Sequence, residues 1–433
     1  MHDTISTSSS SDCSTHLVRY YMCIDFKSFY ASVECVERGL DPLTAKLVVA
    51  DPDRSKGTIC LAVSPALKAL GVKNRCRIFE IPDSIDYVVA KPRMQLYIDY
   101  SARIYKLYLK YLSKDDIQVY SIDESFMDVT DYLSLYKCTP RELASKIMAE
   151  VLSTTGIPSA CGIGTNIYLA KVALDITAKH SPDRISFLNE DLYKKSLWRH
   201  KPLTDFWQIG NGISNKLARL GITTMEELAN TDTELLYKTF GINASYLIDH
   251  AWGKEPTTIS RIKAYECSSH SLSSGQVLMR DYKFEEASII LKEMVDLLCL
   301  DLVDKHLITD NIFLHIGYSN YVLPSLNKSK KLSTPTSSCR ILTDSFIKLY
   351  NESVDRTTPI RRISITFGKV FDESFEQYDL FYDTTMLEKE RSIQHSVNEI
   401  KHRFGKNAIL KGMNLLDCAT TQQRNSQIGG HNA

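Results

Sequence analysis

The sequence predicts an α+β protein of several domains. Three observations carry that expectation. A length of 433 residues with 43% apolar content can bury more than one core. Short β-favouring apolar runs end in acids, and long amphipathic helical patterns lie between them. Lys plus Arg and Asp plus Glu each number 52, giving a formal net charge of zero, so any contact with nucleic acid is local and salt-sensitive, not a bulk electrostatic wrap. Eleven cysteines run from Cys13 to Cys418 without a Cys-x-x-Cys pair or a zinc-spaced histidine, the pattern of reduced thiols in a cytoplasmic protein. No apolar run reaches membrane-spanning length. Met1 to His16, Ser/Thr-rich without an apolar core, reads as a disordered head and not a signal peptide.

The first strand pattern runs from Tyr20 to Ile24 and ends at Asp25. Phe26, Phe29, Tyr30 and Val33 then recur at helical spacing, so Asp25 stands where a strand gives way to a helix. That junction suits a phosphate, because a helix N-terminus offers free N–H groups and partial positive charge. A strand at Leu47 to Ala50, a charged loop from Asp51 to Gly57 and a helix from Pro65 to Leu70, stopped by Gly71, follow as a small insertion. A long amphipathic helix is expected from Met94 to Leu112. Next comes Tyr120-Ser121-Ile122-Asp123-Glu124-Ser125-Phe126, flanked by strand-like alternation that puts the two acids at the tip of a hairpin. Taken alone, the pair reads as a solvated acidic turn. With Asp25 added, the three carboxylates can hold two divalent ions, Mg²⁺ or alternatively Mn²⁺, since oxygen-only donors favour those cations. Helices from Pro140 to Ser153 and from about Thr165-Asn166, the latter carrying Lys171, complete this part.

These residues resemble the Y-family, lesion-bypass DNA polymerases, and within them the UmuC-like branch. The match rests on Asp25-Phe26-Lys27-Ser28-Phe29-Tyr30-Ala31-Ser32-Val33-Glu34, on Ser121 to Phe126, and on Gly162-Ile163-Gly164-Thr165-Asn166 followed by Leu169-Ala170-Lys171. It covers roughly residues 17 to 375. The resemblance implies a right-hand polymerase: palm (17–28 and 92–180, a mixed sheet plus helices), small fingers (29–91), a helical thumb with a helix-hairpin-helix (181–252), an α/β little finger (264–372), and a tail (373–433). It implies that Asp25, Asp123, Glu124 and the carbonyl of Phe26 bind two catalytic metal ions. Lys27, Ser28, Phe29, Tyr30, Lys68 and Lys171 would then meet the nucleotide. Tyr30 would be the steric gate against a 2′-hydroxyl, although spacing alone also fits a core aromatic. Lys68 is either an ordinary solvated lysine or lies near the triphosphate, and Pro65 stands where many relatives carry a tyrosine, which removes a donor to phosphate.

Further along, Phe206 to Ile222 has the pattern of a helix-hairpin-helix with a helix starting at Ser214 as N-cap. Gly210 and Gly212 would admit a DNA phosphate and Lys216 would face it; a plain packing hairpin is the alternative. Strand patterns at His270 to Met279, Asn311 to Tyr318 and Arg361 to Phe367 follow. Arg361 to Phe367 resembles the DNA-facing strand of the family's little finger, and since adjacent residues of a strand face opposite sides, at most one of Arg361 and Arg362 lies on that surface. Gln377, Leu380 and Phe381 form a Gln-x-x-Leu-Phe peptide that resembles the one by which bacterial polymerases dock on the sliding clamp. A charged helix is expected from Thr385 to Phe404. The apolar island Ala408 to Leu416 either binds a partner, such as a recombinase filament or accessory subunit, or packs back. Gln422 to Ala433 reads as disordered.

The function expected is template-directed, error-prone DNA synthesis opposite damaged bases, from dNTPs on a primed DNA template, in SOS-type damage tolerance. No exonuclease-like set of acids is present, so proofreading is not expected. Two rivals are weaker. A non-enzymatic DNA-binding accessory would be expected to lose one of the three acids, and a nucleotide cyclase has no use for a thumb-like hairpin or a clamp-like peptide.

Overall fold

The computed structural model describes residues 18–54, 57–267, 269–319, 322–375 and 384–433. They fall into two compact units, one of residues 18–91 and 96–265, the other of 92–95 and 266–433.

In the first unit the chain runs β1 (Tyr21–Phe26), α1 (Phe29–Glu37), β2 (Leu47–Val49), β3 (Ala62–Val63), α2 (Pro65–Ala69), β4 (Val88–Ala90) and α3 (Met94–Tyr108). It continues through β5 (Ile117–Val119), β6 (Glu124–Asp128), α4 (Thr130–Tyr136), α5 (Pro140–Thr155), β7 (Ser159–Gly164), α6 (Ile167–Val172), β8 (Ile185–Leu188) and α7 (Glu190–Leu197). The helices α8 (Asn211–Arg219), α9 (Met225–Ala229), α10 (Thr233–Phe240), α11 (Ala244–Ala251) and α12 (Ile259–Ala264) close it.

Five strands form a sheet in the order β5-β6-β1-β7-β8, and three form a smaller one, β3-β2-β4. β1 is central, antiparallel to both β6 and β7. Tyr21, Met22, Cys23, Ile24 and Phe26 are all buried and only Asp25 is partly exposed, as expected of a strand covered on both faces, where polar alternation is lost. The Gly162-Ile163-Gly164 run has a steric reason. A Cβ on Gly162 would lie 2.0 Å from the Ala170 carbonyl oxygen, and one on Gly164 would lie 2.2 Å from the Ala170 nitrogen. Only glycine lets α6 lie directly on β7, and that contact brings Lys171 down to the sheet. α5 starts at a capping box of Thr139 and Glu142 with Pro140 in its first turn, and ends at Gly156 in the left-handed conformation.

The small sheet has its own core of Val48, Ala50, Cys60, Val63, Leu67 and Ile81. The helices from α7 to α11 bury Tyr193, Phe206, Leu217, Met225, Leu236 and Leu247 together. Here α8 begins at Asn211 with Gly210 as N-cap, four residues before the N-cap expected at Ser214. The Ser214 N–H already donates to the Gly210 carbonyl at 3.0 Å, so Ser214 sits inside the first turn.

The second unit runs β9 (His270–Tyr282), α13 (Phe284–Asp304), β10 (Leu307–Tyr318), β11 (Leu326–Thr336), α14 (Cys339–Ser353) and β12 (Ile360–Asp372), then α15 (Thr384–Phe404), α16 (Thr421–Asn425), β13 (Gln427–Ile428) and β14 (His431–Asn432). Its four long strands form an antiparallel sheet, β11-β10-β12-β9. Ile312, Leu314, Ile316, Ile363, Ile365 and Phe367 pack one face against Leu291, Leu298 and Phe346 of α13 and α14. β11 answers to no pattern noted in the sequence. Its Lys328, Lys330 and Lys331 suit an edge strand and mask the alternation.

The C-terminal tail differs from expectation. The stretch from Gln422 forms most of α16 and the β13–β14 hairpin instead of lying disordered. The island from Ala408 packs back: Asn414 Nδ2 donates to Glu293 Oε1 at 2.8 Å, and Lys411 pairs with Asp296 at 2.5 Å. Among the described residues no helix is long and apolar enough to cross a membrane, and the described cysteines are free thiols.

Candidate active site

The acids meet because of strand register. Asp25, next to last in β1, lies directly opposite Glu124, the first residue of β6, so both side chains leave the same face of the sheet. Asp123 sits in the turn between β5 and β6, where its carboxylate accepts from Ser121 Oγ at 2.7 Å. Its carbonyl accepts from the Phe26 N–H at 3.1 Å, tying the hairpin tip to the end of β1. The hairpin inferred from the sequence is thus present, and its tip adjoins Asp25.

Burial and neighbouring charge both act on Asp25. Burial pushes the Asp25 carboxyl up to about 6; Lys179 opposes this, while the charges of Asp123 and Glu124 add to it. Ammonium groups answer that crowding. Lys171 Nζ lies 2.6 Å from Glu124 Oε1 and 3.1 Å from Asp175 Oδ2. Lys179 contacts Asp25, and it pairs with Asp175 Oδ1 at 2.9 Å. Burial works against the Lys171 charge, while its neighbours Cys23, Asp175 and Glu124 act the other way and leave its pKa raised. A chain of alternating charge therefore runs Glu124, Lys171, Asp175, Lys179, Asp25. Cys23, fully buried on β1, donates its thiol to Glu124 Oε1 at 3.1 Å. Burial raises the Cys23 thiol well above its usual value, Glu124 adding to the effect, so the sulfur keeps its proton.

Among the described residues no three His, Cys, Asp or Glu side chains converge as a closed metal cage. The donor set nonetheless suits a divalent cation: three carboxylates and the Phe26 carbonyl are all hard oxygens, and a cation would offset the burial and the neighbouring negative charge that lift Asp25. Asp25 and Glu124 each hold a lysine ammonium, a counter-charge that a metal ion can replace.

Around the acids lies a set of cations. Lys27 follows the end of β1, and partial burial with the neighbouring Arg184 and Lys179 charges lowers its pKa; like charges gathered this way suit a polyanion. Ser28 is left-handed, with φ 48, and its hydroxyl accepts from Lys68 Nζ at 2.8 Å, so Lys68 is turned toward the β1–α1 junction. Lys171 lies deeper. It is only 6% exposed and engaged with Glu124 and Asp175. Lys179, eight residues on and more exposed, reaches Asp25 instead.

Tyr30 is half-buried, not a core aromatic. Its ring stacks on Tyr97, with centroids 4.5 Å apart and planes at 17°, and the Tyr97 hydroxyl donates to the buried Glu34 at 2.7 Å. Burial and, after it, the charge of Asp123 raise the Tyr30 pKa. Phe29 is buried, its ring centroid 5.8 Å from that of Phe26.

The sequence reading missed Cys23, Asp175 and Lys179. A signal existed for two of them: Lys171, Asp175 and Lys179 are spaced four apart, the interval that aligns charges along a helix. The segment is not a plain α-helix, however. Residues Ala173–Thr177 form a π-helical turn, a rare conformation that often marks functional sites.

Elsewhere in the first unit, Gly210 and Gly212 are exposed with nothing within 4 Å of a Cβ built on either, and Lys216 lies over the Phe240 ring at 6.0 Å. In the second unit Arg361 is turned to Asp281, 3.4 Å away. Arg362 lies opposite Gly317 and the exposed Val277, on the sheet face not covered by helices. Gln377, Leu380 and Phe381 lie outside the described residues.

Comparison with known proteins is consistent along the chain. A family model described as the impB/mucB/samB family matches residues 24–175, and its C-terminal domain matches 269–380. The putative UV-damage repair protein UvrX of Bacillus subtilis is 34% identical over 95% of this chain and 97% of its own length. A DNA polymerase IV 2 of the same organism is 31% identical over 94% and 97%. A solved Y-family DNA polymerase chimera, Dbh-Dpo4(243-245)-Dbh, shares the fold with a TM-score of 0.64 at 23% identity, covering 82% of this chain and 99% of that one. The fold is accordingly the α+β right hand of those enzymes, and the chain belongs to the impB/mucB/samB family, as a Y-family, translesion, DNA-directed DNA polymerase.

Proposed function

We propose that this polymerase inserts deoxynucleotides opposite damaged template bases by two-metal nucleotidyl transfer, in the cytoplasm and as part of an SOS-type damage response. The observation that carries the proposal is the β1–β6 register, which sets Asp25 against Glu124 with Asp123 tied to the same corner. Asp25, Asp123, Glu124 and the Phe26 carbonyl would hold Mg²⁺ or Mn²⁺. Bound there, the ions would supply charge neutralisation for the triphosphate and acidify the attacking 3′-hydroxyl.

The chain's own residues account for the rest. Lys27 and Lys68, expected at the nucleotide from the sequence together with Lys171, gather positive charge beside the acids with Lys179 and suit the triphosphate. Ser28 and Phe29 shape the helix start beneath it. Tyr30, held by the Tyr97 stack, presents an aromatic face to the sugar and would exclude a 2′-hydroxyl. Gly210, Gly212 and Lys216 suit a backbone phosphate of the primed template without reading bases. Arg362 is the better placed of the two arginines for a second phosphate contact, because Arg361 already has a carboxylate partner. Gln377, Leu380 and Phe381 remain our candidate for docking a sliding clamp, and a recombinase filament or accessory subunit is a further candidate partner.

Primer extension tests this reading on undamaged and lesion-bearing templates with Mg²⁺, beside an Asp123→Ala, Glu124→Ala double variant. Extension past the lesion by the wild type, lost in the variant, is the expected result. If the wild type extends neither primer, the accessory reading replaces this one.

A further inference from the structure

Glu124 is held unevenly. Both of its protein contacts fall on Oε1: the Lys171 ammonium at 2.6 Å and the Cys23 thiol at 3.1 Å. Oε2 has no partner among the described residues, and it is not among the buried side-chain oxygens left without one, so it reaches solvent. One oxygen is thus anchored inward while the other faces outward.

The floor under that anchored oxygen is apolar. Cys23 packs with Tyr21, Phe126, Ala160, Ile167, Ala170 and Leu174, where α6 lies on the sheet. The thiol is the only hydrogen-bond donor this cluster offers to Glu124. A valine at position 23 would fill similar space, but it would set methyl groups against a carboxylate oxygen and leave Lys171 to orient it alone. A single ammonium is a point charge that tolerates many carboxylate rotations. Two donors on one oxygen, from opposite sides of the sheet–helix seam, leave far fewer.

We propose that Cys23 is a positioning residue of the active site: with Lys171 it clamps Oε1 of Glu124, so that Oε2 is presented to the catalytic cation. The proposal rests on Glu124 being a metal ligand and adds why that carboxylate is preorganised. Lys171 then acts from beneath the acids, through Glu124, and not on the nucleotide. Loss of outer partners of metal-binding carboxylates weakens metal affinity by about 10–100-fold. A thiol is a weak donor, so an effect of about threefold to tenfold is expected.

The test compares wild type, Cys23→Val, Cys23→Ala, Cys23→Ser and Glu124→Gln in the full chain. Two readouts are taken: Mn²⁺ binding to the protein without DNA, followed by electron paramagnetic resonance, and single-nucleotide insertion titrated separately with Mg²⁺ and with dNTP. Cys23→Val, or Cys23→Ala if the valine variant does not fold, should weaken Mn²⁺ binding and raise the half-saturating Mg²⁺ concentration about threefold to tenfold. The dNTP KM and the rate at saturating Mg²⁺ should stay near wild type, and Cys23→Ser, which keeps a donor, should recover most of the loss. If Glu124→Gln weakens Mn²⁺ binding but the Cys23 variants titrate like wild type, the clamp is overturned alone. If Glu124→Gln binds Mn²⁺ as wild type does, the metal role of Glu124 is overturned, and the clamp with it.

Discussion

Two buried glutamates, one chosen from each unit, are treated in opposite ways. Glu124 in the first unit is 8% exposed and meets the protein through one oxygen only, with a lysine and a thiol. Glu293, on α13 of the second unit, is 1% exposed and has both oxygens taken. Oε1 accepts from Asn414 Nδ2 at 2.8 Å and from the Thr421 N–H at 3.4 Å, and Oε2 accepts from the Thr420 N–H at 2.8 Å. The difference separates two uses of a buried charge. Fixed neutral donors from a distant segment make Glu293 a lock, with backbone dipoles sharing its charge and the tail held on α13. A charged, exchangeable partner and an outward oxygen suit Glu124 to the ligand role we propose for it, and Asp25 beside it likewise holds a lysine.

Substitutions that remove charge but keep shape should break that comparison unequally. The largest effect is expected at Asp25. Asp25→Asn should slow insertion by about 10³-fold or more, as loss of a transition-state ligand does. The same change should stabilise the protein in chelator. The Asp25 carboxyl is raised to about 6 from 3.8, so the folded state holds its proton more tightly than the unfolded chain. That contribution to stability is full below about pH 4 and falls as pH rises to about 6, a total of up to about 3 kcal/mol. Denaturant melts at pH 4 and pH 7.5 check it: the variant should match wild type at the lower pH and exceed it at the higher. A variant less stable at both would mean that Asp25 is a structural acid like Glu293.

Next in size is Glu293→Gln. An amide in place of the carboxylate sets a donor against the donors of Asn414, Thr420 and Thr421, at a cost of about 2 kcal/mol. Limited proteolysis should then cut first between residues 405 and 433, with insertion by the first unit unchanged. A loss of insertion equal to that of Asp25→Asn would erase the distinction. The smallest effect belongs to Glu390 of α15, which accepts from Ser338 Oγ at 2.6 Å and the Arg340 N–H at 2.9 Å at the start of α14. Glu390→Gln should lower stability by about 1 kcal/mol, the scale of a helix-end carboxylate, with no change in proteolysis beyond residue 405.

The same contrast explains what the sequence made legible. The strand ending at Asp25, the Asp123-Glu124 hairpin and the glycines of β7 are local patterns, and each could be read from a dozen residues. Chain-distant contacts could not. The tail beyond Gln422 looked disordered because the acid that organises it, Glu293, is far away in the sequence. β11 was hidden by edge lysines. The depth of Lys171 and its pairing with Glu124 could not be read from its spacing, since only the close approach of α6 to β7 buries it. Cys23 looked like core filler, since nothing in its neighbours announces a carboxylate across the sheet. The helix start at Gly210 and not Ser214 is the ordinary uncertainty of a glycine-flanked cap.

The most direct test of the central claim, that the acids at the β1–β6 corner do the chemistry while the second unit's buried acid only holds structure, is rapid-quench insertion of one dNTP on a primed template. Glu124→Gln and Glu293→Gln would be run side by side at saturating Mg²⁺. The account predicts a rate lower by about 10³-fold for Glu124→Gln with thermal unfolding near wild type, and a wild-type rate for Glu293→Gln. Insertion by Glu124→Gln within about tenfold of wild type would contradict it.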